Sequence, residues 1–171
     1  MHATTVEALV SEEAGPRLRA ATDVDAAFDA LFQRERVPMV RVAYLLVGSE
    51  SLAEEIVQDA FAAVYVRWAR IDNPGGFLRQ CVVNGARSAL RRRALEKRKA
   101  PLLVDDRTAP AGRELLDALA ALPIGWRSVV VLRFYEGMSQ EEIAVALDMR
   151  LGTVKSSLHR GLARLREALE P

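Results

Sequence analysis

The sequence predicts an all-α protein: two small helical domains joined by a flexible linker, the C-terminal one containing a helix-turn-helix. Three observations carry this. Apolar residues recur every three or four positions along most of the chain, and no alternating run of the β type appears. Residues 100–112, APLLVDDRTAPAG, hold two prolines and no helical period, which marks an extended connection. Residues 139–169 then give a short helix, a tight break at Asp148-Met149-Arg150 and a second helix.

Size and composition set the bounds. With 171 residues, half of them apolar, there is enough for one domain or two small ones, each with a core. The net charge of +1 conceals a bipolar chain. Residues 85–100 contain seven Arg or Lys against one Glu, whereas residues 50–59 contain Glu50, Glu54, Glu55 and Asp59 and no basic residue. The single cysteine, Cys81, excludes an internal disulfide framework and fits a reducing cytoplasm. No apolar run approaches the ~20 residues of a membrane helix, so no membrane insertion is expected. The N-terminus is acidic and lacks the basic start of a signal peptide. Residues 1–24 read as a tail, poorly ordered or a short accessory helix, of unreadable function.

The first domain spans residues 25–96. Asp25 is placed to cap a helix carrying Phe28, Leu31 and Phe32, which Pro38 should interrupt because proline lacks an amide donor and clashes with the preceding turn. The apolar run 39–47 stops at Gly48. Ser51 and Glu54 have capping-box spacing and should launch a helix to about residue 70. Its buried stripe is Ile56, Val57, Ala60, Phe61, Val64 and Trp68. The opposite face carries Glu55, Gln58, Asp59, Ala62 and Val66, an acidic start running into small apolar residues. Macrodipole compensation explains Glu54 and Glu55. A partner presenting a basic docking helix explains the whole face, Val66 included.

Asn73 can cap the next helix with Pro74 in its first turn, ahead of Gly75 and Gly76. That helix, residues 77–95, should bury Leu78, Cys81, Val82, Gly85, Ala86 and Ala89. Its other face gathers Gln80, Asn84, Arg87 and Arg91, side chains that read base edges and hold phosphates. The basic run 91–99 adds sequence-independent grip. Macrodipole compensation, RNA and a membrane surface are competing readings, but seven basic residues in sixteen exceed the needs of a helix end.

After the linker, 97–112, the second domain spans residues 113–171. A helix over 113–119 stops near Leu122-Pro123. Another, over 125–135, should bury Val129, Val130, Leu132 and Phe134 before Gly137. Ser139 with Glu142 forms a capping box, and Ile143, Ala144 and Leu147 make a buried face. The last helix, beginning near Gly152-Thr153, aligns Val154, Leu158, Leu162, Leu165 and Leu169. Ser156, His159 and Arg160 point away from that stripe, with Lys155 on its flank, as in a helix that enters the major groove. A plain helical hairpin with a solvated basic face is the bland alternative.

Taken together these segments resemble the sigma-70 family of bacterial RNA polymerase sigma factors, in the short extracytoplasmic-function (ECF) class that keeps only the domains called sigma-2 and sigma-4. Ala53-Glu54-Glu55-Ile56-Val57-Gln58-Asp59-Ala60-Phe61 is similar to the AEDLVQ-type core-binding segment. Asn73-Pro74-Gly75-Gly76-Phe77-Leu78 resembles the NPRAWL-type segment, and Asn84 with Ala86-Arg87 fits the helix that follows. Gly152-Thr153-Val154-Lys155-Ser156-Ser157-Leu158-His159-Arg160-Gly161 resembles the GTVKSRLHRA signature. The likeness covers about residues 25–168.

The resemblance implies roles. Glu55, Gln58, Asp59 and Ala62 would dock on the β′ clamp helices of core RNA polymerase. Asp72, Asn73, Gln80, Asn84, Arg87 and Arg91 would bind the melted −10 element. Thr153, Lys155, Ser156, His159 and Arg160 would bind the −35 duplex. The β flap and an anti-sigma factor are further implied partners. Three departures stand out: Ser157 occupies a frequently basic position and predicts one phosphate contact fewer, Phe77 replaces a common Trp, and Asp148 stands where a turn glycine is common. A self-contained helix-turn-helix regulator is the alternative function. An enzyme is not expected: the sequence shows no phosphate loop, no Cys–His pair within a domain and no metal-ligand cluster, so neither metal nor cofactor is called for.

Overall fold

The computed structural model describes residues 16–99 and 113–170, with side chains from 23–95 and 113–170. These residues form seven helices and no strand: α1 (Pro16–Val47), α2 (Glu50–Arg67), a 3₁₀ turn (Trp68–Arg70), α3 (Pro74–Lys99), α4 (Arg113–Ala121), α5 (Ile124–Phe134), α6 (Gln140–Ala146) and α7 (Leu151–Leu169). The connection, residues 100–112, lies outside the described set.

The long helix α1 organises the rest. Leu31, Glu35, Met39, Val42 and Leu46 follow one another at steps of three or four and are all buried, so one stripe runs along the C-terminal half of the helix. This corrects the expected break: Pro38 lies inside α1. The lost hydrogen bond and the ring clash cost about 3 kcal/mol in an isolated helix. Here burial of Met39, Val42, Ala43 and Leu46, none more than 1% exposed, outweighs it. The helix also begins at Pro16, so Asp25 is an internal residue; its carboxylate accepts from the Tyr65 hydroxyl at 3.1 Å. Gly48, at φ +70°, ends α1 in the left-handed region that glycine adopts freely.

Helices α2 and α3 pack on α1 to make the N-terminal unit. Ala53, Ile56, Val57, Ala60, Phe61 and Val64 of α2 are buried as the pattern required, while Trp68 is half-buried. Phe28 meets Phe61, Tyr65 and Trp68 edge-on, with ring centroids 5.0–6.1 Å apart. The expected Ser51–Glu54 box does not form. Ser49 is the N-cap and makes no side-chain cap; its hydroxyl sits 3.4 Å from that of Ser51. Cys81 is half-buried rather than in the core, where Val83 lies instead.

The C-terminal unit, α4–α7, leans on the other end of α1 through α4 and α5. The core runs on from one unit to the other, from Leu31 to Leu165, so the two expected domains share a wall. Phe134, expected inside, is 64% exposed at the end of α5. Gly161 lets α7 press on α5: a Cβ there would stand 2.8 Å from Val130 Cγ2.

Candidate nucleic-acid interface

Three surfaces carry the residues singled out by sequence. On α2, Glu55, Gln58, Asp59 and Ala62 are all exposed, and Val66 beyond them is 84% exposed. The face is therefore an acidic start with an uncovered apolar end, built on a helix whose reverse side is fixed in the core.

The second surface begins at the start of α3. Asn73 caps it: Oδ1 accepts from the Gly76 amide at 2.9 Å. A Cβ on Gly76 would lie 2.9 Å from Asn73 Nδ2, so the cap itself favours glycine there. Asp72, Asn84 and Arg91 are exposed, and Gln80 and Arg87 are half-buried. Gln80 and Asn84 line a groove between α2 and α3, together with Glu55 and Asp59 on the α2 side. The structure thus brings Glu55 and Asp59 to one wall and Gln80 and Asn84 to the opposite wall of one groove. Phe77 lies at its end beneath the Arg67 guanidinium, 5.6 Å from the ring centroid. Burial pushes the Cys81 thiol up from its ordinary value, with Arg67 opposing the shift.

The third surface is α7. The turn before it holds Asp148 at φ 50°, a left-handed conformation that a short polar side chain tolerates. Ser139 and Glu142 form a full capping box on α6, at 3.1 and 2.7 Å. These bonds hold the Glu142 carboxyl below its ordinary range. Thr153, Lys155, Ser156, His159 and Arg160 are all exposed along one ridge of α7. Ser156 donates to the Thr153 carbonyl at 3.1 Å, and Arg160 lies over Trp126, 5.9 Å from the ring centroid. Ser157 is 5% exposed and faces the core, which corrects its reading as a missing phosphate contact.

Two arginines that pattern reading did not single out prove structurally central. Arg79 pairs with Glu136 across the units at 2.8 Å and with Glu35 of α1, within its own unit, at 3.4 Å. Arg127 is 7% exposed and donates to the carbonyls of Leu46, Ala120 and Leu122, capping the C-terminal ends of α1 and α4 at once. Burial lowers its pKa from the ordinary arginine value. The sequence signal was present: Arg127 lies three and four residues before the buried Val130 and Val131, on the inward side of an apolar helix.

Comparison with known proteins agrees with this geometry. Residues 31–96 match the family model for sigma-70 region 2, and residues 112–165 match that for sigma-70 region 4. The chain is similar to the RNA polymerase sigma-E factor of Streptomyces coelicolor, 41% identical over 83% of this chain and 85% of that one. It is 38% identical to the sigma-E factor of Streptomyces antibioticus, over 84% of each. Among solved structures it resembles CnrH in complex with the cytosolic domain of CnrY, with a TM-score of 0.66 and 26% identity over 89% of this chain and 93% of that one. It shares its fold with the sigma factor RpoE from Bartonella quintana, solved with the anti-sigma factor NepR, at a TM-score of 0.69 and 21% identity over 82% of this chain and 97% of that one. With regions 2 and 4 both present and joined in one short chain, this protein belongs to the sigma-70 family, in its extracytoplasmic-function class.

Proposed function

We propose that this sigma factor directs initiation through the three surfaces above. Glu55, Gln58, Asp59 and Ala62 dock on the β′ clamp helices of core polymerase. Asp72, Asn73, Gln80, Asn84, Arg87 and Arg91 hold the melted −10 strand, and Thr153, Lys155, Ser156, His159 and Arg160 read the −35 duplex. The C-terminal unit also meets the β flap. The observation that carries this reading is that none of these side chains is buried, although each sits on a helix whose other side is locked in the core.

The shapes suit the tasks. A groove with Gln80 and Asn84 on its wall and Phe77 at its end offers hydrogen bonds and a π-face to bases that have left the stack. Asn73, engaged as a cap, positions the loop more than it reads a base. The α7 ridge presents Lys155 and Arg160 to phosphates or guanine edges of a duplex. Arg67, against the Phe77 ring, joins the −10 surface. The protein performs no catalysis of its own and works in the cytoplasm beside the polymerase; no described helix is long and apolar enough to cross a membrane. An anti-sigma factor is its further partner, as in the neighbour solved with NepR.

Two titrations of the purified protein test the reading, one against core polymerase and one against duplex promoter DNA. The expected result is tight core binding that weakens at least ten-fold in the Glu55→Lys, Asp59→Lys variant, about 1.4 kcal/mol, with little sequence-specific binding to duplex by the free protein. Specific duplex binding without affinity for core would make it a self-contained regulator instead.

A further inference from the structure

The side chains on the α7 ridge are held in different ways. Ser156 is tied to the Thr153 carbonyl, within its own helix. Arg160 is supported from another helix: its guanidinium lies over the Trp126 ring of α5, 5.9 Å from the centroid. A free arginine samples many rotamers, and ordering it on a ligand costs affinity. One already laid on an aromatic face has lost that freedom before the ligand arrives.

Trp126 is built into its place from both sides. Pro123 is the N-cap of α5, and its carbonyl accepts from the amides of Trp126 and Arg127 at 2.9 and 3.0 Å, which fixes Trp126 in the first turn. The next side chain, Arg127, is buried and donates to the carbonyls of Ala120 and Leu122, tying that turn to the end of α4. On the other side, Gly161 lets α7 come close: a Cβ there would stand 3.6 Å from Trp126 Cβ and 3.7 Å from the Trp126 carbonyl oxygen. Arg160 is the neighbour of that glycine. The close approach of the two backbones therefore brings the indole within reach of the guanidinium.

Stacking and hydrogen bonding do not compete for this side chain. The ring takes the flat face of the guanidinium, whereas its N–H donors lie in the plane and point outward from its edge. Arg160 accordingly stays exposed while Trp126 is half-buried. We propose that Trp126 is a positioning residue for duplex binding: its indole holds the Arg160 guanidinium in one orientation, with the donor edge free for the acceptors of a DNA duplex. The inference rests on the α7 ridge being the duplex-binding surface. Trp126 acts through Arg160 and makes no DNA contact of its own. A lysine at 160 would gain little from the ring, since its ammonium is a compact charge without a planar fork.

A double-mutant cycle in the full chain tests this, with a fluorescein-labelled mixed-sequence duplex and its single strand as probes. Trp126→Leu keeps an apolar side chain on α5 but removes the π-face, and Trp126→Phe keeps a smaller one. The expected result is duplex binding about three-fold to five-fold weaker in Trp126→Leu, with at least half of that loss recovered in Trp126→Phe and single-strand binding unchanged. In an Arg160→Ala background, Trp126→Leu should cost nothing further, which a general loosening of α5 would not produce. No loss in Trp126→Leu overturns the proposal. So does a loss that persists undiminished without Arg160, one that Trp126→Phe fails to recover, or one shared equally by the single strand. Arg160→Ala with full duplex affinity overturns the ridge as a duplex-binding surface as well, so the two failures can be told apart.

Discussion

In the proposed function, the groove of α3 and the ridge of α7 solve two recognition problems with the same material, a helix anchored by an apolar stripe. The groove is concave, walled by a second helix and partly covered: Gln80 and Arg87 are half-buried. The ridge is convex, and Thr153, Lys155, Ser156, His159 and Arg160 on it are all exposed. Bases that have left the stack need walls and stacking partners. A duplex supplies its own walls and needs only a helix narrow enough for its major groove.

The largest expected effect lies beneath the two surfaces. Leu78, under the groove, is fully buried, and Leu158, under the ridge, is 8% exposed. Leu78→Ala is expected to cost about 4–5 kcal/mol and Leu158→Ala about 3 kcal/mol, within the usual range for such truncations. Urea denaturation checks the order, and equal costs would mean that the shorter unit is packed as tightly as the longer one.

Charge removal sharpens the comparison at the next level. Arg87→Ala with Arg91→Ala is expected to lower the salt slope of single-strand binding by about 1.4, at about 0.7 per phosphate contact, and to leave duplex binding alone. Lys155→Ala with Arg160→Ala should lower the duplex slope by about 1.8, at about 0.9 each, and spare the single strand. Salt titrations of both ligands on both variants give the answer; losses that cross over would erase the division of labour.

The smallest effect concerns the support of the ridge. Ser139→Ala removes one half of the α6 capping box and should cost about 1 kcal/mol at neutral pH by thermal or chemical unfolding. The Glu142 carboxyl is held below its ordinary value of 4.5 by that box. A depressed folded pKa stabilises above the unfolded value and loses that contribution as pH falls through the folded one. The difference between parent and variant should therefore narrow in acid, below about pH 4.5.

What could be read in advance was local. The Ser139–Glu142 box, the stop at Gly48 and the stripe of α2 depend on residues within one or two turns of each other. The errors were also local rules, overruled by packing. Pro38 sits in α1 because the stripe from Leu31 to Leu46 continues across it, and Ser51 lost the cap to Ser49, two residues earlier than the helical pattern suggested. The face assignments were legible because helical period fixes which side chains share a side. What joins those faces was not. Arg79 meets Glu136 across 57 residues and Arg127 meets Leu46 across 81, and no periodicity spans such separations.

The contact at Gly161 has a practical consequence for anyone reshaping DNA preference. With Val130 Cγ2 at 2.8 Å from where a Cβ would lie, any side chain at 161 acts as a shim under α7, lifting one end of the helix off α5. The pitch at which Lys155, Ser156, His159 and Arg160 would meet a groove in the proposed function is thus set from behind. Variant libraries that randomise the outer ridge while holding glycine at 161 change the letters being read; those that alter 161 change the angle of the reading head.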